Sequence, residues 1–135
     1  MPRPARIALG VLAGFIAWFV VATLCNFAVR AAFTGYADVE RTTFAFTLPM
    51  LLARLATGVA SSIAAGLVCA AVPKTEGRAA PILAAILVIF FLPVHYSLWD
   101  KFPLWYHAFF LVSLAPFVIL GAWLKPQAGD GRVML

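Results

Sequence analysis

Across residues 7–29 the only conventionally polar side chains are Thr23 and Asn26, and no other feature restricts the folding of this chain as much. Wound as a helix at about 1.5 Å per residue, such a run reaches across a hydrocarbon layer roughly 30 Å thick. In lipid every amide and carbonyl must be bonded within the protein, so a single isolated run can only be a helix. The run is also longer than the apolar region of a cleaved signal peptide, typically about 7–15 residues, and is expected to persist as a membrane span.

Three further apolar runs follow, at about 48–72, 81–98 and 104–124. Pro49, Pro81 and Pro103 stand where a first helical turn begins, the place where a missing N–H costs nothing. Between the runs lie a polar connection at 30–43 that carries Tyr36, Asp38, Glu40 and Arg41, and the short break PKTEGRAA at 73–80. The expected fold is all-α: a four-span transmembrane helical bundle forming one domain, 1–135, with a loose polar tail at 125–135. With 64% hydrophobic and 11% charged residues, the chain is far from the roughly one-quarter charged average of soluble proteins.

The net charge of +5 does not point to nucleic acid, because the basic residues are scattered singly. They read instead as topology signals. Arg3, Arg6, Lys74, Arg78, Lys125 and Arg132 fall on the side of the termini, against Arg30, Arg41 and Lys101 on the other, so both termini are expected in the cytoplasm. Size, simple topology and the lack of a transit-like N-terminus place the chain in a bacterial inner membrane. Cys25 and Cys69 fall near opposite ends of their spans, too far apart for a disulfide, and are expected to be inert buried thiols.

Helices in lipid associate through close backbone approach at small residues. Gly10 and Gly14 form such a ridge in the first span, and Gly58, Ser62 and Gly66 form one in the second. These ridges are expected to pack the first two spans together. Pro93 and Pro116 permit a kink in each of the last two spans.

The segment HYSLWDKFPLWYH, residues 95–107, becomes the tight turn between the last two spans. Tyrosine and tryptophan favour the membrane–water boundary, which accounts for Tyr96, Trp99, Trp105 and Tyr106, but not for His95 and His107. Three readings of the histidine pair stand side by side. Each ring bonds interface water, a carbonyl or Asp100; or the pair ligates haem iron or a metal; or Asp100 orients one of them for acid–base work.

Arg54 is the one charge within a span. An unpaired guanidinium at mid-membrane costs about 2.5–3.5 kcal/mol on insertion scales, so a partner is expected. Asp100 is the first candidate, then Asp38 and Glu40. The pairing either pins a loop onto the second span, or leaves Arg54 to receive an anionic group in a pocket walled by Trp99, Trp105, Tyr106 and Phe109.

No acidic residue, lysine or histidine falls near the middle of any span, which argues against a proton-coupled pump, and no internal repeat suggests a duplicated transporter. Walker-type glycine loops, HExxH and GxSxG are absent. The resulting expectation is a small polytopic membrane protein without catalytic activity or cofactor, whose outward aromatic and polar rim binds an amphipathic ligand or a partner membrane protein. Candidate ligand-binding residues are Arg54, His95, Trp99, Asp100, Trp105, Tyr106 and His107. A haem- or metal-binding redox protein using His95 and His107 is one alternative. A small carrier or channel for an anion or lipid using Arg54 is another, and oligomerisation is left open.

Overall fold

Apolar runs of membrane length give four long helices, and the polar connection contributes a fifth, short one. The computed structural model describes residues 1–75 and 77–125. Its helices are α1 (Arg3–Ala32), α2 (Tyr36–Arg41), α3 (Leu48–Ala71), α4 (Ala79–Ser97) and α5 (Leu104–Leu124), with a 3-10 turn at Trp99–Lys101. There is no strand among the described residues, and α1, α3, α4 and α5 are each long and apolar enough to cross a membrane. The expected tail lies, from residue 126 onward, outside the described residues.

Local chemistry sets the helix ends. Pro4 sits in the first turn of α1, and the last turn closes through the Phe33 amide donating to the Val29 carbonyl at 3.0 Å. Thr47 caps α3, its hydroxyl accepting from the Met50 amide at 3.4 Å, with Pro49 in the first turn. Helix α5 starts directly after Pro103. Pro93 and Pro116 lie inside continuous helix. Gly35, in the left-handed region at φ 82°, turns the chain sharply from α1 into α2.

The long helices form two antiparallel hairpins, α1/α3 and α4/α5, lying side by side so that α3 runs parallel to α5 and α1 parallel to α4. Small residues decide how near the backbones come. A Cβ on Gly10 would stand 3.1 Å from the Cys69 carbonyl, and one on Gly14 would stand 2.9 Å from the Ala65 carbonyl. Gly10 and Gly14 therefore seat α1 on α3, as the spacing suggests.

The α3 ridge is divided between two neighbours, which corrects its assignment to the first span alone. Ser62 does face α1 and accepts from the Trp18 indole N–H at 3.1 Å. Gly66 faces α5 instead, where a Cβ would run into the Val118 carbonyl oxygen; Gly121 reciprocates against the Ile63 carbonyl. Gly58 lies under the Phe110 ring, its would-be Cβ 3.0 Å away. With α1 on one flank and α5 on the other, the inner face of α3 is wide enough to serve both.

The bundle core runs through Trp18, Leu55, Leu83, Leu87, Phe91, Phe110, Leu114 and Val118, while Leu12, Ile16, Leu24, Ile89 and Val112 point outward. A continuous coat of such side chains suits contact with acyl chains. Cys69 is fully buried and Cys25 half-buried, and both are free thiols.

Candidate functional site

The two hairpins part at the end that carries α2 and the α4–α5 turn, leaving a cavity of about 420 Å³. Trp18, Gly58 and Phe110 lie deep in it, Phe19, Phe27, Phe91 and Phe102 form apolar walls, and Asn26, Arg30, Tyr36, Glu40, Arg54, Thr57, His95 and Tyr106 supply polar groups. Two polar assemblies face it.

The first is built around Arg54, one turn from the Met50–Leu51 start of the buried stripe on α3. Its Nε donates to the Tyr106 hydroxyl at 3.1 Å and its Nη1 to the Tyr36 hydroxyl at 2.7 Å. The guanidinium carbon stands 4.8 Å from the centre of the Phe46 ring and 5.5 Å from that of Phe102. Tyr36, Phe46, Phe102 and Tyr106 form a stacked series with centroid separations of 4.9, 6.0 and 4.5 Å. The outer two rings thus offer hydroxyls and the inner two offer π-faces to one cation. Each cation–π contact contributes about 0.5–2 kcal/mol, so the assembly can offset the desolvation of the charge.

Glu40 is the acidic partner. Its Oε2 lies 3.6 Å from Arg54 Nη1, an ion pair longer than a hydrogen bond. Its Oε1 accepts from Arg30 at 2.9 Å through Nε and at 2.6 Å through Nη2. Arg54 Nη2 has no hydrogen-bond partner among the described residues, and the side chain is 23% exposed. The charge is held, but one edge of its fork is left for a further acceptor.

The expected pairing with Asp100 does not form. Asp100 belongs to the 3-10 turn and is exposed, because the turn inserts Phe102 beside Arg54 and leaves Trp99–Lys101 at the surface. Asp38 is taken by Arg41 one turn away on α2. The pocket walls are also different from those expected: Trp99, Trp105 and Phe109 are 50%, 44% and 47% exposed and do not line the cavity, whereas Tyr106 does. Trp99 and Trp105 lie at the bundle's outer surface at this end, where an interfacial ring is stable.

The second assembly joins the histidines. His95, near the end of α4, and His107, near the start of α5, meet across the hairpin with their Nδ1 atoms 2.7 Å apart. Trp99 stacks on His107 at 4.7 Å with 13° between planes, and its carbonyl lies 3.3 Å from His107 Nε2. Both rings are buried, but only His95 borders the cavity. The spacing is that of a hydrogen bond. A zinc ion bonded to both nitrogens at about 2.0–2.1 Å would hold them roughly 3.3 Å apart in tetrahedral geometry, and direct contact leaves no space between the rings for iron. No group of three or more His, Cys, Asp or Glu side chains able to hold a metal occurs among the described residues.

Of the residues singled out in the sequence, Arg54, His95 and Tyr106 meet at the cavity, His107 stands behind His95, and Trp99, Asp100 and Trp105 do not line it. Sequence reasoning missed Trp18, Phe46, Phe91, Phe102 and Phe110, whose aromatic character is equally that of a lipid-facing residue. Tyr36 carried a usable signal, since it shares the 30–43 connection with Glu40, one of the candidate partners of Arg54. In comparisons with known proteins, no family model, no curated protein and no solved structure matches the chain.

Proposed function

We propose that the chain is a small, non-catalytic membrane protein that binds an amphipathic molecule bearing an anionic group in the Arg54 cavity. The observation that carries this reading is the unused edge of a guanidinium locked in place by two hydroxyls and two ring faces beside an apolar-walled cavity. A cation whose geometry is set before binding loses little freedom when an anion arrives. Glu40, at 3.6 Å and shared with Arg30, offsets part of the charge without filling that edge. Phe19, Phe27 and Phe91 supply walls for an apolar body.

Binding suits this geometry better than passage. Trp18 and Phe110 lie deep in the cavity, and beyond them the helices touch at Gly14, Gly66 and Gly121. The excess of basic residues near the termini supports cytoplasmic termini and hence a cavity at the outer face of a bacterial inner membrane.

The test is binding of dodecyl phosphate to the purified protein in a neutral detergent, followed by native mass spectrometry and by tryptophan fluorescence. Saturable binding is expected, with no binding of the uncharged dodecanol. Arg54→Gln removes a charge-assisted hydrogen bond of about 1.5–3 kcal/mol, so affinity should fall roughly tenfold to a hundredfold. Ala22→Phe, which occupies the cavity and leaves the Arg54 contacts intact, should abolish binding in a folded protein. Unchanged affinity in both variants overturns the proposal.

A further inference from the structure

The cavity presents a second fixed group, and its chemistry narrows the ligand. A backbone carbonyl only accepts hydrogen bonds, so the contact between His107 Nε2 and the Trp99 carbonyl places a proton on Nε2. In a neutral ring, His107 Nδ1 then carries a lone pair. The 2.7 Å contact between the Nδ1 atoms accordingly has His95 as donor and His107 as acceptor. With its proton on Nδ1, His95 bears a lone pair on Nε2. The chain Trp99 carbonyl, His107, His95 thus sets one tautomer at its far end, and the stacking of Trp99 on His107 holds the middle ring in plane.

His95 Nε2 has no hydrogen-bond partner among the described residues, although the residue is 94% buried by its 6% exposure. It is not a sealed atom: among those residues the one fully buried side-chain nitrogen or oxygen without a partner is Ser61 Oγ. His95 borders the same cavity as Arg54. Tyr106 stands between them, its hydroxyl accepting from Arg54 and its ring centroid 6.2 Å from that of His95. A cationic donor and a neutral acceptor therefore line one cavity, with Tyr106 in contact with both. Leaving a buried acceptor unpaired is costly, which is how a site rejects a ligand lacking the matching hydroxyl.

Resting on the anion-binding reading above, we propose that the ligand is a lipid whose anionic headgroup carries a hydroxyl, with the phosphate on Arg54 and the hydroxyl donating to His95 Nε2. The hydroxyl is a neutral donor. A zwitterionic headgroup would instead bring a third cation toward Arg54 and Arg30, against the one carboxylate of Glu40. His107 and Trp99 are positioning residues that set the tautomer of His95.

The experiment compares dihexanoyl phosphatidylglycerol with dihexanoyl phosphatidylmethanol, which has the same chains and charge but no hydroxyl, on the purified full chain in neutral detergent. The glycerol lipid should bind at least about tenfold more tightly. In His95→Ala that preference should vanish, because the methyl lipid no longer leaves an acceptor unpaired, and His95→Gln, whose side-chain oxygen accepts, should restore part of it. Nitrogen-15 NMR of the histidines should show a lone-pair Nε2 on His95 and a protonated Nε2 on His107. In His107→Ala the His95 tautomer should become mixed and the preference shrink.

Equal affinity for the two lipids, or a protonated Nε2 on neutral His95, overturns this proposal and leaves the anion reading in place. Failure of both lipids to bind overturns both. Binding of chain-free glycerol phosphate as tight as that of the lipid keeps the paired anion and hydroxyl chemistry but overturns the lipid assignment.

Discussion

Replacing Gly66 by alanine adds a single methyl group at the tightest contact in the bundle. Its Cβ would overlap the Val118 carbonyl oxygen and stand 2.8 Å from the Ala122 amide nitrogen, both backbone atoms of α5. No rotamer change can move them, so α3 and α5 must separate along a contact that also holds Gly121 against Ile63. Overpacking of this kind costs about 1–3 kcal/mol, and the upper part of that range applies where backbone has to yield. Alanine is the better helix former by roughly 1 kcal/mol, which leaves a net loss of about 2 kcal/mol. Gly58→Ala is the comparison, because its Cβ would meet the edge of the Phe110 side chain at 3.0 Å, and a ring can tilt. The assay is reversible unfolding in mixed neutral detergent and dodecyl sulfate, followed by circular dichroism. Gly66→Ala and Gly121→Ala should each lose clearly more stability than Gly58→Ala. A neutral or stabilising Gly66→Ala, with the helices still packed, would refute the reasoning.

The buried polar groups allow further tests in the same assay. Ser61 Oγ is buried without a partner, so Ser61→Ala should leave stability unchanged or raise it by up to about 1 kcal/mol. Trp18 donates to Ser62, which donates on to the Gly58 carbonyl at 2.7 Å. A double-mutant cycle of Trp18→Phe and Ser62→Ala should give a coupling near 0.6 kcal/mol and below about 1.7, the range for hydrogen bonds between membrane helices, and zero coupling would discount the bond. Tyr36→Phe removes an acceptor from Arg54 Nη1 and should cost about 1.5–3 kcal/mol, the scale of a hydrogen bond to a charged group; no loss would show that the clamp does not form.

The four long helices are legible in the sequence because lipid admits few alternatives: a run of membrane length with at most one charge has to wind on itself. Arg54 stands out for the same reason, since a guanidinium in an apolar run requires company. Its actual company was harder to foresee. Depth alone ranks Asp100, Asp38 and Glu40 together, and the choice among them depends on which side chain each turn directs inward. The 3-10 turn after α4 directs Phe102 inward and Asp100 outward, while the reversal at Gly35 brings Tyr36 and Glu40 of α2 to Arg54. Neither turn carries a periodic pattern. The α3 ridge shows a related limit: a spacing of four identifies a helix face, but not which of two flanking helices each glycine meets. His95 and His107 could be placed at one depth from their positions in the hairpin, whereas their direct contact depends on ring orientation.

The assignment of the anion to Arg54 is tested most directly by dipolar recoupling between nitrogen-15 and phosphorus-31 in the solid state, on arginine-labelled protein in bilayers with bound dodecyl phosphate. The account predicts a guanidinium–phosphorus coupling at hydrogen-bonding range that is present in the wild type and missing in Arg54→Gln. Bound phosphate whose coupling survives in Arg54→Gln, or that shows no arginine coupling at all, would contradict it.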